Sequence, residues 1–267
     1  MNLVNPGIQL LQHPLVSAVL TFLMAAGSVR AQLVLSGNEN KIDLVTGAQR
    51  LIPNALPDTV TLLDFATFPP AVTHLTNISN TVIGPPSNVA IHPRGRMGVV
   101  ASSIRLPTPT SQHWVPDNRI YILDLAPRPP VVADIVTVES QPSGLCFSAD
   151  GQRLLVANRA AGTVSVFAVD GLSLRQVQLV RVCEPAESVS DVAISPDGRL
   201  ALASVQKGGY MAVLRFDGHE WVVSRRKISV SGQPYRCLIT PDGQLGLVAG
   251  LGFGNGVDID ELSVIDL

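Results

Sequence analysis

An imidazole, an indole and a carboxylate stand within five residues of one another at His113, Trp114 and Asp117, inside the run SIRLPTPTSQHWVPDN (103–118). An aromatic face beside such groups is stacking and hydrogen-bonding chemistry suited to a sugar-like or anionic ligand. Arg159, Tyr235 and Arg236 add two guanidinium forks and a phenol. Asp258, Asp260 and Glu261 cluster in NGVDIDE, but that run lacks the D-x-[DN]-x-[DN]-G frame of a calcium loop and reads as a solvated acidic loop. Cys146, Cys183 and Cys237 lack metal-like spacing and read as buried small hydrophobes. There is no G-x-S-x-G, no phosphate loop and no Cys/His pair at useful spacing. No catalytic residue can therefore be named, and no metal or cofactor is expected.

What must position these groups is a repeat. ISPDGRLALAS (194–204) places a turn between apolar runs that alternate at period two. Pro196 pre-sets φ, Asp197 tolerates the next position and Gly198 supplies φ > 0. The same event recurs around Gly95, Gly151 and Gly243, and in weaker form around Gly47, at spacings of 45 to 56 residues. Such a period is the signature of a repeat architecture. Residues 143–182 read as four short strands, a to d: SGLCFS, QRLLVAN, GTVSVFAV and RQVQLVRV. Four antiparallel strands in about 45 residues describe one blade of a β-propeller. The expected fold is thus all-β, with about five four-stranded blades over 32–267. With 46% hydrophobic but only 4% aromatic residues, its core must be aliphatic.

PSGLCFSADGQRLLVANRAAGTVSVFAVDG (142–171), DVAISPDGRLALAS (191–204) and PDGQLGLVAG with ELSVIDL (241–250, 261–267) closely resemble the YVTN repeat of lactonase-like β-propellers. The resemblance implies a propeller, seven-bladed in most of that family, found in exported or surface proteins and often of unknown ligand. Here only five turn glycines are present, and the last repeat stops after strand c. The strand-like QLVLS (32–36) precedes the first repeat. Two readings follow: a truncated seven-bladed propeller, or a five-bladed ring in which 32–36 supplies the absent outer strand.

Residues 15–27, LVSAVLTFLMAAG, are too short an apolar run for a transmembrane helix. They lead into SVRA, with Val29 and Ala31 at the −3 and −1 positions of a cleavage site. Residues 1–31 read as a signal peptide or disordered leader, which places the mature protein in the periplasm or outside the cell. A net charge of −2 and pI near 6.2 exclude an electrostatic footprint for nucleic acid.

In a blade ordered a-b-c-d the a–b and c–d turns lie on one side of the disc, and the b–c and d–a loops ring the channel mouth on the other. Binding residues are sought on that second side. His113, Trp114, Asp117, Arg159, Tyr235 and Arg236 are the candidates, with Asn88 and Asp191 at the rim. The partner is an unidentified protein or small molecule. Two functions remain open: a binding or scaffold module, and a lactonase-like hydrolase with a polar or metal site at the channel mouth.

Overall fold

The structure, a computed structural model, describes residues 32–46, 48–81, 87–252 and 260–267. The leader 1–31, the proposed turn residue Gly47 and Asp258 lie outside the described residues. Apart from one 3-10 turn at Pro185–Glu187, every regular element among the described residues is a strand.

The first sheet contains β1 (Leu33–Asn38), with β2 (Ile42–Asp43) and β3 (Arg50–Leu51) forming a separate ladder, then β4 (Thr59–Asp64) and β5 (Ala71–Thr76), in the order β1-β4-β5. Three complete blades follow, each in plain sequence order. They are β6 (Val89–Ile91), β7 (Met97–Arg105), β8 (Val115–Asp124) and β9 (Val131–Thr137); β10 (Pro142–Phe147), β11 (Arg153–Asn158), β12 (Thr163–Asp170) and β13 (Ser173–Arg181); and β14 (Val189–Ile194), β15 (Leu200–Val205), β16 (Tyr210–Phe216) and β17 (Trp221–Ser229). The last sheet has β18 (Gln233–Ile239), β19 (Leu245–Leu251) and β20 (Glu261–Asp266). Every pairing is antiparallel.

The stacking has a simple cause. A lone blade has two apolar faces, and fully burying one Val, Leu or Ile contributes about 1.5–3 kcal/mol, so neighbouring blades must cover each other. Four mainly aliphatic layers do this in turn. Val60, Leu62, Val100 and Leu123 join the first two sheets, and Val99, Ile120, Leu154 and Phe167 the next pair. Leu155, Val164, Ala203 and Leu214 join the complete third and fourth blades, and Leu202, Met211, Val248 and Ile265 the last pair. The first strands β6, β10, β14 and β18 pack side by side and form the centre.

The a–b turns follow the sequence reading. Gly95, Gly151, Gly198 and Gly243 have φ of 77°, 74°, 70° and 73°. In the last three turns, the aspartate just before the glycine accepts from a backbone N–H and from the Ser or Thr that opens the turn. In the second blade His92 takes the serine's place. Its Nδ1 accepts from Arg94 N–H at 3.1 Å, and its Nε2 donates to Gly151 O at 2.9 Å, tying one turn to the next.

The first repeat differs from the sequence reading. The turn around Gly47 was expected to be its a–b turn, with 32–36 an extra strand ahead of it or, in the five-bladed reading, the outer strand of the last blade. Instead β1 pairs with β4 along its whole length, Leu33 opposite Asp64 and Asn38 opposite Thr59. Asn38 Nδ2 donates to Thr59 and Thr61, as Asn158 Nδ2 donates to Thr163 and Ser165 in the third blade. After β4, LDFATFPPAV (63–72) repeats LDLAPRPPVV (123–132), with Asp64 and Asp124 each accepting from the N–H two residues on. β1, β4 and β5 are therefore strands b, c and d of their blade, and β2–β3 is an excursion within its b–c connection. The five-bladed ring closed by 32–36 does not form, because β1 is used inside the first sheet and β20 pairs only with β19 among the described strands.

Candidate functional site

Where strand a enters each of the last three blades, the ladder skips. Register is lost between Pro142 and Leu145, between Val189 and Asp191, and between Pro234 and Arg236. A bulge re-aims the extra residue away from the regular pleat. The residues so placed are Ser143, Ser190 and Tyr235, with Ser87 in the equivalent place before β6. Facing them, near or just past the end of strand b, are Ser103, Arg159 and Gln206. Placing candidates on the b–c and d–a loops brought out Arg159 and Tyr235 but passed over Ser143, Ser190, Ser103 and Gln206. The serine recurring four residues ahead of the end of strand a, at 87, 143 and 190, was the available signal.

The two sets meet between blades. The Arg159 guanidinium donates to Ser190 Oγ through Nη1 and to Gln206 Oε1 through Nη2, and Ser190 Oγ also donates to Gln206 Oε1 at 3.3 Å. Ser103 Oγ donates to Pro142 O. No carboxylate lies within ion-pair distance of Arg159 among the described residues. Burial pulls its pKa below the usual arginine value, although arginine stays protonated at any working pH. A half-buried cation held only by neutral acceptors favours an anion beside it. Ser143 Oγ is buried without a hydrogen-bond partner among the described residues. A group of that kind requires a water or ligand to satisfy it.

Deeper on the axis lies Asp191, 1% exposed. Its Oδ1 accepts from Ser87 Oγ at 2.8 Å, its Oδ2 from Cys237 N–H at 2.9 Å, and its own N–H donates to Ser204 Oγ. One carboxylate thus joins three blades. A Cβ on Gly144 would stand 1.9 Å from Asp191 Oδ1, so the third blade leaves the space that Asp191 fills. Burial raises the Asp191 pKa to about 6 despite these donors and nearby Arg236.

The remaining candidates fall elsewhere. Asp117 is buried in β8, bound by Arg119 Nη2 at 2.6 Å and Ser102 Oγ at 2.7 Å. Burial opposes its ionisation, yet the donors from Arg119, Ser102 and the Asn118 N–H hold its carboxyl below the usual range, so it anchors β7 to β8. Asn88 is buried and its Nδ2 donates to Ala101 O at 3.4 Å. Arg236 is exposed, and Tyr235 is half-buried with its carbonyl accepting from Ser204 Oγ. His113 and Trp114 line a cavity of about 500 Å³ against β2–β3, which shares no lining residue with the Arg159 group. Asp260 accepts from Gly252 N–H. Among the described residues no three His, Cys, Asp or Glu side chains are placed to hold a metal, and the three cysteines are free thiols. In the first blade Lys41 is buried between Glu39 (2.7 Å) and Asp58 (2.5 Å) and also donates to Asn80 O, which occupies all three of its N–H groups.

Radially stacked sheets of three or four strands, the complete ones centred on their first strands, define the class: a β-propeller of about five blades. Residues 140–251 match the family model described as the lactonase, 7-bladed β-propeller. That span contains Ser143, Arg159, Ser190, Asp191 and Gln206, and over it the chain is similar to that family. Among solved structures, a periplasmic gluconolactonase from Pseudomonas aeruginosa is 17% identical at TM-score 0.56, with 91% of this chain and 84% of that one covered. A candidate 6-phosphogluconolactonase from Bacteroides uniformis is 18% identical at TM-score 0.57, covering 90% and 84%. The hydrazine synthase of Kuenenia stuttgartiensis is 23% identical at TM-score 0.53 over 72% of this chain, which spans about half (48%) of that one. At these identities the likeness concerns the fold. No curated protein matches the sequence.

Proposed function

We propose that the channel mouth between the third and fourth blades holds a small anion-bearing, hydroxyl-rich ligand of the sugar-acid class, anchored by Arg159. The observation that carries this reading is a half-buried guanidinium bound, among the described residues, only to neutral partners, Ser190 and Gln206. Ser143 Oγ, without a partner of its own among the described residues, supplies a further polar contact. A second reading, hydrolysis of a sugar lactone to its hydroxy acid with water adding across the ester, is supported by the lactonase family match over these same residues.

Calorimetric titration with gluconate and 6-phosphogluconate tests binding, and acid release from δ-gluconolactone in a pH-stat tests turnover. Arg159→Gln should weaken binding at least tenfold while leaving the melting profile intact, because it removes a cation that costs energy to bury. Equal affinity in the variant would reject the site. Binding without acid release would retain the first reading and reject the second.

A further inference from the structure

The two longest described excursions on the mouth side, 39–58 (apart from residue 47) and 106–114, pack on each other, with Asn54 N–H donating to Pro109 O at 3.2 Å. Between them lies the cavity of His113 and Trp114, about 500 Å³ in volume, within the range of about 300–1,000 Å³ that holds small ligands. Its floor is the ladder pair Ile42–Leu51, and its polar wall carries Gln49, Arg50 and Gln112. Trp114 is half-buried, and among the described residues neither an aromatic ring nor a cation stacks on its indole.

Charge decides the kind of ligand. Arg50 is matched by its ladder partner Asp43 at 2.6 Å, and Asp43 is kept ionised by the Val45 N–H and by Arg50. Besides the His113 imidazole, which is not a fixed charge, the described wall therefore has no unpaired charged group to recruit an anion, unlike Arg159. What it offers is one apolar aromatic face and side-chain amides that both donate and accept. That pairing suits a neutral molecule with a C–H face on one side and hydroxyls around its rim. We infer that the cavity between the two excursions is a saccharide-binding site separate from the channel mouth, with Trp114 stacking on a pyranose ring and Gln49 and Gln112 bonding its hydroxyls.

Trp114 and Trp221 are the only tryptophans, and Trp221 is 2% exposed in the wall of a different cavity, so a ligand-induced change in indole emission that disappears in Trp114→Ala reports on Trp114. The full chain is titrated with glucose, N-acetylglucosamine, maltotriose and cellotriose, followed by emission and by calorimetry. At least one probe should give a saturable change with matching heat. Trp114→Ala should weaken that binding at least tenfold, and Trp114→Phe should keep part of it, with melting profiles confirming that both variants fold. Arg159→Gln should leave it unchanged. The inference is overturned if no saccharide saturates, if binding survives Trp114→Ala, or if Arg159→Gln abolishes it. It is equally overturned if adenosine or indole saturates the cavity and the saccharides do not.

Discussion

Replacing Asp191 by asparagine should make the protein more stable at neutral pH and no more stable at pH 4. In the folded chain this carboxylate is 1% exposed and its pKa is raised from 3.8 to about 6. Each tenfold change in proton affinity corresponds to about 1.4 kcal/mol, so ionising Asp191 costs the fold about 3 kcal/mol. The sign follows from proton counting. Between the unfolded and folded pKa values the native state holds a proton that the unfolded state has released, so stability falls as pH rises from about 4 to about 6 and is level above that. Asparagine preserves the contacts, because its carbonyl accepts from Cys237 N–H and its amide donates to Ser87 Oγ, whose hydroxyl can rotate. Urea unfolding of both proteins from pH 4 to pH 8 isolates this group, since all other titrations cancel in the difference. The variant's advantage should grow from near zero to about 3 kcal/mol. A difference independent of pH, or one that shrinks as pH rises, would refute a costly axial carboxylate.

Gly151→Ala and Gly198→Ala share a left-handed backbone but not a neighbour. A Cβ at 198 meets nothing within 4 Å, whereas one at 151 meets His92 Nε2 at 2.2 Å. Gly198→Ala should cost about 1 kcal/mol and Gly151→Ala about 3 kcal/mol, with His92→Ala restoring most of the difference in a double-mutant cycle. Lys41→Met should lower stability by about 3–5 kcal/mol, read from chemical denaturation, because it strands the buried carboxylates of Glu39 and Asp58. Expressed from Met1 in a bacterial host, the chain should be recovered from the periplasm with Gln32 at its N-terminus by intact mass; recovery there with residues 1–31 still attached would reject cleavage after Ala31.

What the sequence determined by itself was everything encoded within a few residues. The Ser/Thr-x-Asp-Gly turns announce themselves because φ > 0 at glycine and an aspartate that bonds its own backbone are local requirements. Period-two alternation then supplies the strands, and the turn spacing supplies the blade. Where local chemistry was duplicated by accident, as at Gly47, spacing misled. The correct frame for the first blade lay in the repeat of LDFATFPPAV by LDLAPRPPVV, a c–d signature rather than an a–b one. Tertiary structure alone decided which polar groups meet. Asp191 reaches Ser87 across 104 residues of sequence, Arg159 reaches Ser190 across 31, and the indole of Trp114 shares a cavity with the β2–β3 ladder of another blade. These contacts depend on how the aliphatic layers set each blade against the next. Burial then decides which charges are costly: Asp117 is bonded by a paired arginine and remains ionised, whereas Asp191 has no such fork and is driven toward protonation.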